Sequence, residues 1–186
     1  MRDLNRATLI LVATALMLAG CAGGPPPSAG TSAPAPEPSQ EPAPTVDSID
    51  CAEVEAVVAP YIEGLVPRED NGSDEFGTLC GWEVPADARD LSDIRSVEVS
   101  ISAEPGDVLT AEELGSVGLT ALPDSAIESA GGVAYTSTID VAVASVIVTT
   151  VALPTVEVTV TGGQWDGHPS LDGPAAVAVV KTLLGL

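Results

Sequence analysis

Two segments of strict alternation limit the folds open to this chain more than any other feature. Val97, Val99 and Ile101 interleave with Glu98, Ser100 and Ser102, and Val156, Val158 and Val160 interleave with Glu157, Thr159 and Thr161. A period of two sends the apolar residues to one side of an extended strand and the polar ones to the other. Both segments are therefore expected to be strands of a sheet covered on one face and wet on the other. The stretch Val133 to Val151 is apolar on both alternations around Val141, Val143, Val146 and Val148, which predicts central strands. Thr78 to Val84 alternates so that Cys80, Trp82 and Val84 share a side.

Helical spacing frames these strands. Asp50 precedes Val54, Val57, Val58, Tyr61, Ile62 and Leu65, which are spaced for one helical face, with Glu53 at the capping-box position and Ile49 and Val54 at the staple positions. Cys51 lies on the same stripe, and Pro60 is expected to kink or end the helix. Thr110 with Glu113, flanked by Leu109 and Leu114, predicts a second helix start, followed by irregular chain to Gly132. Pro174 opens a last helix through Ala176, Val177, Val180, Leu183 and Leu184. The order helix, strands, short helix, strands, helix predicts an α+β fold. It would be two-layered, with a mostly antiparallel sheet and the N-terminal and C-terminal helices packed on one face.

The first 45 residues read differently. Arg2 and Arg6 precede an apolar run from Ala7 to Ala19, the layout of a signal peptide, and the run is shorter than the roughly 20 residues a spanning helix needs. An ordinary secretory peptide would be cut near Ala22, but a cysteine stands at the cut site. Leu18-Ala19-Gly20-Cys21 resembles the lipobox of a bacterial lipoprotein precursor. That resemblance implies removal of residues 1–20 and acylation of Cys21, palmitate included, as the anchor on the outer side of the cytoplasmic membrane. Residues 21–45 are rich in Pro, Ala, Ser and Gly and have nothing to bury. At about 3.1 Å per residue they would reach roughly 75 Å as polyproline, either as a tether through a cell wall or as a disordered spacer of no critical length. Residues 46–186 remain for a single domain of a size that buries its own core.

With Cys21 assigned to lipid, Cys51 and Cys80 form an even pair in an exported domain, which predicts a disulfide between the first helix and the first strand. Closing a loop of about 30 residues is worth roughly 3.5 kcal/mol by loop entropy. Two thiols and the single His168 make a poor zinc site without carboxylates.

The formal charge of −21 comes from 27 acidic and 6 basic residues, and loss of the leader with Arg2, Asp3 and Arg6 makes it about one unit more negative. Such an excess repels phosphate backbones and anionic head groups, which argues against nucleic acid and against purely electrostatic membrane binding. It reads as a solvated surface, with a cationic ligand as the other reading.

Cys51 at the start of the first helix, the Cys80-Gly81-Trp82 strand, the alternating strands and a Pro-led final helix follow a lipobox and a Pro-rich tether. Together they resemble actinobacterial lipoproteins of domain-of-unknown-function family 3558. The resemblance implies fold and location; the family carries no agreed activity.

Candidate chemistry is sparse. Trp165-Asp166-Gly167-His168 gathers an aromatic, a carboxylate and the only imidazole, yet no motif-marked nucleophile accompanies that His, so a polar connection is preferred. Glu69 to Glu75 clusters carboxylates around Gly72, but in EF-hand register Pro67 and Thr78 occupy the first and last ligand positions, so a surface turn is expected. Neither G-x-S-x-G, H-E-x-x-H nor a phosphate-cradling loop with Lys occurs; Lys181 lies in an apolar helix, and no catalytic residue or cofactor is assigned. Asn71-Gly72-Ser73 is formally a glycosylation triplet of little weight in a bacterial exported protein. Two function classes follow. One is a non-catalytic, lipid-anchored module binding an envelope protein or small ligand. The other is an envelope hydrolase built from paired Asp and Glu carboxylates.

Overall fold

The structure is a computed structural model that describes residues 49–89, 94–103, 105–141 and 144–186. The expected signal peptide (residues 1–20), Cys21 and the expected tether (residues 21–45) lie outside the described residues, as does Val143.

The first helix, α1 (Cys51–Val58), starts where the cap chemistry dictates. Asp50 accepts from the backbone N–H groups of Ala52 at 2.9 Å and Glu53 at 3.0 Å, and Glu53 accepts from the Asp50 N–H at 3.2 Å. Val54 and Val58 are fully buried. Pro60 has no N–H to continue the ladder, and the chain tightens into a 3-10 turn over Ala59–Tyr61. The predicted helical stripe therefore stops short: Ile62 and Leu65 reach the core from a turn. Cys51 and Cys80 are disulfide-bonded with their Cα atoms 5.5 Å apart, which fastens the first turn of α1 to a strand.

The strands are β1 (Val66–Pro67), β2 (Gly72–Asp74), β3 (Gly77–Glu83), β4 (Ser96–Ser102), β5 (Thr120–Ala121), β6 (Val133–Val141), β7 (Ala144–Leu153) and β8 (Val156–Gln164). They form one antiparallel sheet in the order β1-β3-β4-β8-β7-β6-β5, with β2 also pairing along β3. Directly opposed residues share a face. One row runs Cys80, Val99, Val160, Thr149 and the next Thr78, Ile101, Val158, Val151, Ala134; all of these are buried. Val84 falls just past β3, and β6 is bordered by a partner of only two residues rather than lying centrally.

The segment expected to be irregular up to Gly132 contains β5 and a one-turn helix. After α2 (Ala111–Ser116), which carries the predicted Thr110/Glu113 box, comes α3 (Ser125–Ser129), capped by Asp124. The capping signal at Asp124 is legible in the sequence, but a helix of five residues leaves no periodicity. The last helix, α4 (Gly173–Leu184), is capped by Asp172, begins with Gly173-Pro174 and ends at Gly185 with φ +68°. It touches β6, β7, β8 and α1, while α1 touches β3.

The polar alternation is less wet than the pattern implies. Thr159, Thr161 and Glu157 are half-buried, and Thr150 and Ala152 on the same side are buried. Leu114 of α2 is fully buried outside the main cluster, and a Cβ on Gly106 would stand 4.0 Å from the Glu157 carboxylate.

Two outcomes test this packing. Replacing Cys51 and Cys80 together by Ala should lower unfolding free energy by about 2–4 kcal/mol, read as a drop in the urea midpoint with a somewhat steeper slope, because the uncrosslinked unfolded chain exposes more surface. Gly162 leaves room for Leu171, whose atoms begin 2.7 Å from where a Cβ would be. Gly162→Val should cost about 1–3 kcal/mol in the same assay, because Leu171 cannot retreat within a close-packed core.

Candidate functional site

The acidic segment after β1 is organised by Arg68. Its Nε and Nη2 donate to the two Asp70 oxygens at 3.0 and 2.6 Å, and its Nη1 donates to Glu98 Oε2 at 2.8 Å. The side chain lies across Gly81, where a Cβ would come within 2.6 Å of Arg68 Cδ. Asn71 completes the arrangement. Its amide donates to Gly81 O at 3.0 Å and accepts from Gly81 N at 2.7 Å, so a side chain substitutes for a strand between β1 and β2. Asp74 accepts from the N–H groups of Phe76 and Gly77 and closes the β2–β3 hairpin. The expected surface turn is thus a hairpin with a three-residue strand. The Arg68 hydrogen bonds hold the Asp70 carboxyl below the usual carboxylate range. A depression of about 440 Å³ lies beside this hairpin, lined in part by Asp70, Asp74, Phe76, Ser100 and Ser102, with Phe76 69% exposed.

Across the polar side of the sheet, Ser100, Thr159, Thr150 and Tyr135 form a row of hydroxyls over four strands. Thr150 and Thr159 hydrogen-bond at 3.0 Å. Burial, then the nearby charge of Glu157, pushes the Tyr135 hydroxyl up from its ordinary pKa.

The Trp165–His168 connection makes a turn through Gly167 at φ +79°, with His168 N donating to Trp165 O at 3.3 Å. Trp165 packs against the core, whereas Asp166 and His168 are exposed. His168 lines a cavity of about 260 Å³ with Gly64, Val84, Pro85, Ala88 and Arg95. Arg95 is only 7% exposed. Its Nη1 donates to Tyr61 O at 3.3 Å and its Nη2 to Glu63 O. Desolvation lowers its pKa from the ordinary arginine value, against the opposing charge of Glu63. Sequence reasoning missed Arg95 and Arg68; a basic residue entering an alternating strand of an acidic chain was the available signal.

The remaining chemistry is structural. Asp124 caps α3, accepting from Ala126 and Ile127 N–H groups, and accepts from Lys181 Nζ at 2.9 Å, which ties α3 to α4. Glu113 accepts from both the N–H and the hydroxyl of Thr110. Asp70, Glu113 and Asp124 are each held below the usual range by a donor, the direction opposite to that of a glycosidase general acid. Among the described residues no three His, Cys, Asp or Glu side chains converge as metal ligands, and no helix is long and apolar enough to cross a membrane. Comparison of the chain with protein-family models, curated proteins and solved structures finds no match.

The Asp124–Lys181 link has a pH signature. An unfolded Asp titrates near about 3.9 and the folded Asp124 lower, so the stability it adds is present above that value and is lost as pH falls through the folded pKa. Asp124→Asn should lower stability at neutral pH and flatten the loss below about pH 4, as followed by urea unfolding across pH 2–7.

Proposed function

We propose that this chain is a cell-envelope lipoprotein, anchored through acylated Cys21 on the outer face of the cytoplasmic membrane, and that its domain is a non-catalytic binding module. The observation that carries the reading is the Cys51–Cys80 disulfide. Once Cys21 is given to lipid, the two remaining cysteines pair with each other, as expected of a domain that matures in an oxidising compartment. The signal-peptide layout and the Pro-rich tether support the same address. So does the resemblance to the actinobacterial lipoproteins of domain-of-unknown-function family 3558.

In this reading α1 and α4 form one layer over the valine face of the sheet, and the second alternation, with its hydroxyl row and the depression beside Phe76, is offered to an envelope protein or a small ligand. Asp70, Glu113 and Asp124 are engaged by Arg68, Thr110 and Lys181, so the hydrolase alternative would have to draw its carboxylate pair from elsewhere in the domain. Cys21→Ser should abolish incorporation of labelled palmitate and move the protein from the membrane fraction to the medium or to unprocessed precursor. Intact-mass analysis that finds processed protein with an unmodified Cys21 in the membrane fraction overturns the anchoring. Turnover of a wall polysaccharide that disappears with a single Asp or Glu substitution overturns the binding module in favour of the hydrolase.

A further inference from the structure

We propose that the cavity floored by Arg95 and rimmed by His168 is an oxyanion site, taking the carboxylate or phosphate group of a small ligand. This is a second site, apart from the hydroxyl row and the Phe76 depression, and it rests on the reading of the domain as a binding module. The starting observation is a mismatch of charge. The two other partly buried cations are matched to acids: Arg68 to Asp70 and Glu98, and Lys181 to Asp124. Arg95 is more buried than either, yet among the described residues no carboxylate lies within ion-pair distance of it, and the charge of Glu63 reaches it only from farther off. Its observed partners are two main-chain carbonyls, those of Tyr61 and Glu63. A buried cation normally requires a counter-charge, because desolvation costs several kcal/mol that neutral acceptors only partly offset.

The geometry leaves room for that counter-charge. A guanidinium carries five N–H donors in a rigid fork, and the two carbonyls take one from each Nη. They hold the group from the side of the 3-10 turn. Arg95 lines the cavity together with Gly64, Val84, Pro85 and Ala88, which are small or apolar, and with His168, whose imidazole can supply a second nitrogen donor. Gly64, at φ +79°, leaves its Cβ position 3.3 Å from Arg95 Nη2, so a side chain there would crowd the fork. At about 260 Å³ the space accommodates an oxyanion with a short organic body. The acidic surface opposes anions at long range, but at 0.1 M salt that repulsion is screened beyond about 10 Å, while the desolvated fork acts at contact.

Because the chain has one histidine, its imidazole resonances report on the rim without ambiguity. Titration of the purified full chain with acetate or with inorganic phosphate at constant ionic strength should shift the His168 resonances saturably, and sodium chloride alone should not. A response to acetate assigns the source to carboxylates and a response to phosphate assigns it to phosphoryl groups; either supports the site. Arg95→Lys keeps the charge but loses the fork, and should weaken binding about tenfold. Removing Arg95 outright would also free the Tyr61 and Glu63 carbonyls and endanger the fold, so the decisive variant is Ala88→Asp. It places a carboxylate on an exposed part of the cavity wall and should abolish binding with thermal unfolding unchanged. Absence of a saturable shift, an equal response to chloride, or full binding in Ala88→Asp overturns the site. If anions fail to bind while the anchored protein still retains an envelope partner, the oxyanion site falls and the binding module stands.

Discussion

The bond between Cys51 and Cys80 is the constraint on which the N-terminal half depends. A helix of eight residues is far below the length at which helices persist alone in water, and α1 ends at a proline-bearing turn. Its capping box satisfies the first N–H groups, but what holds it is the burial of Val54 and Val58 and the covalent link to the middle of β3. That link places the 3-10 turn, and the turn presents the Tyr61 and Glu63 carbonyls that seat Arg95. Stability of the core and formation of the cavity are thus coupled through one cross-link.

Charge is used locally in a chain that is globally acidic. Beyond residue 20, only Arg68, Arg89, Arg95 and Lys181 are basic. Arg68 ties the β1–β2 connection to β4, Lys181 ties α4 to the cap of α3, and Arg95 gathers the chain that follows α1. Each of these cations joins segments far apart in sequence. The individual ion pairs are partly exposed and contribute modestly to stability, but they orient turns that carry few apolar residues of their own. Little positive charge is left to neutralise the acidic surface.

Glycine decides the close approaches that the hydrophobic pattern does not describe. Gly162 admits Leu171 against β8 and Gly81 admits Arg68 across β3. Both lie on strands whose flanking residues alternate regularly, and neither requires a positive φ. Each is a place where a side chain from elsewhere in the chain occupies the space a Cβ would fill.

What the sequence determined by itself is local and periodic. The two alternating valine strands, the capping boxes at Asp50 and Thr110, the Pro-led final helix and the α+β class are legible because backbone periodicity and cap chemistry act within a few residues. The Cys51–Cys80 pairing was legible too, since exclusion of Cys21 leaves one partner for each cysteine. Sheet order, the insertion of β5 and α3 before Gly132, and the burial of Thr150 and Ala152 on the supposedly wet face were decided only by tertiary structure. The candidate sites belong to that second group. Arg95 and His168, 73 positions apart, line one cavity because the start of β4 and the end of β8 lie side by side, and no local pattern encodes which loops share a rim. Sequence periodicity acts along the chain, whereas a binding cavity is made by contacts across it.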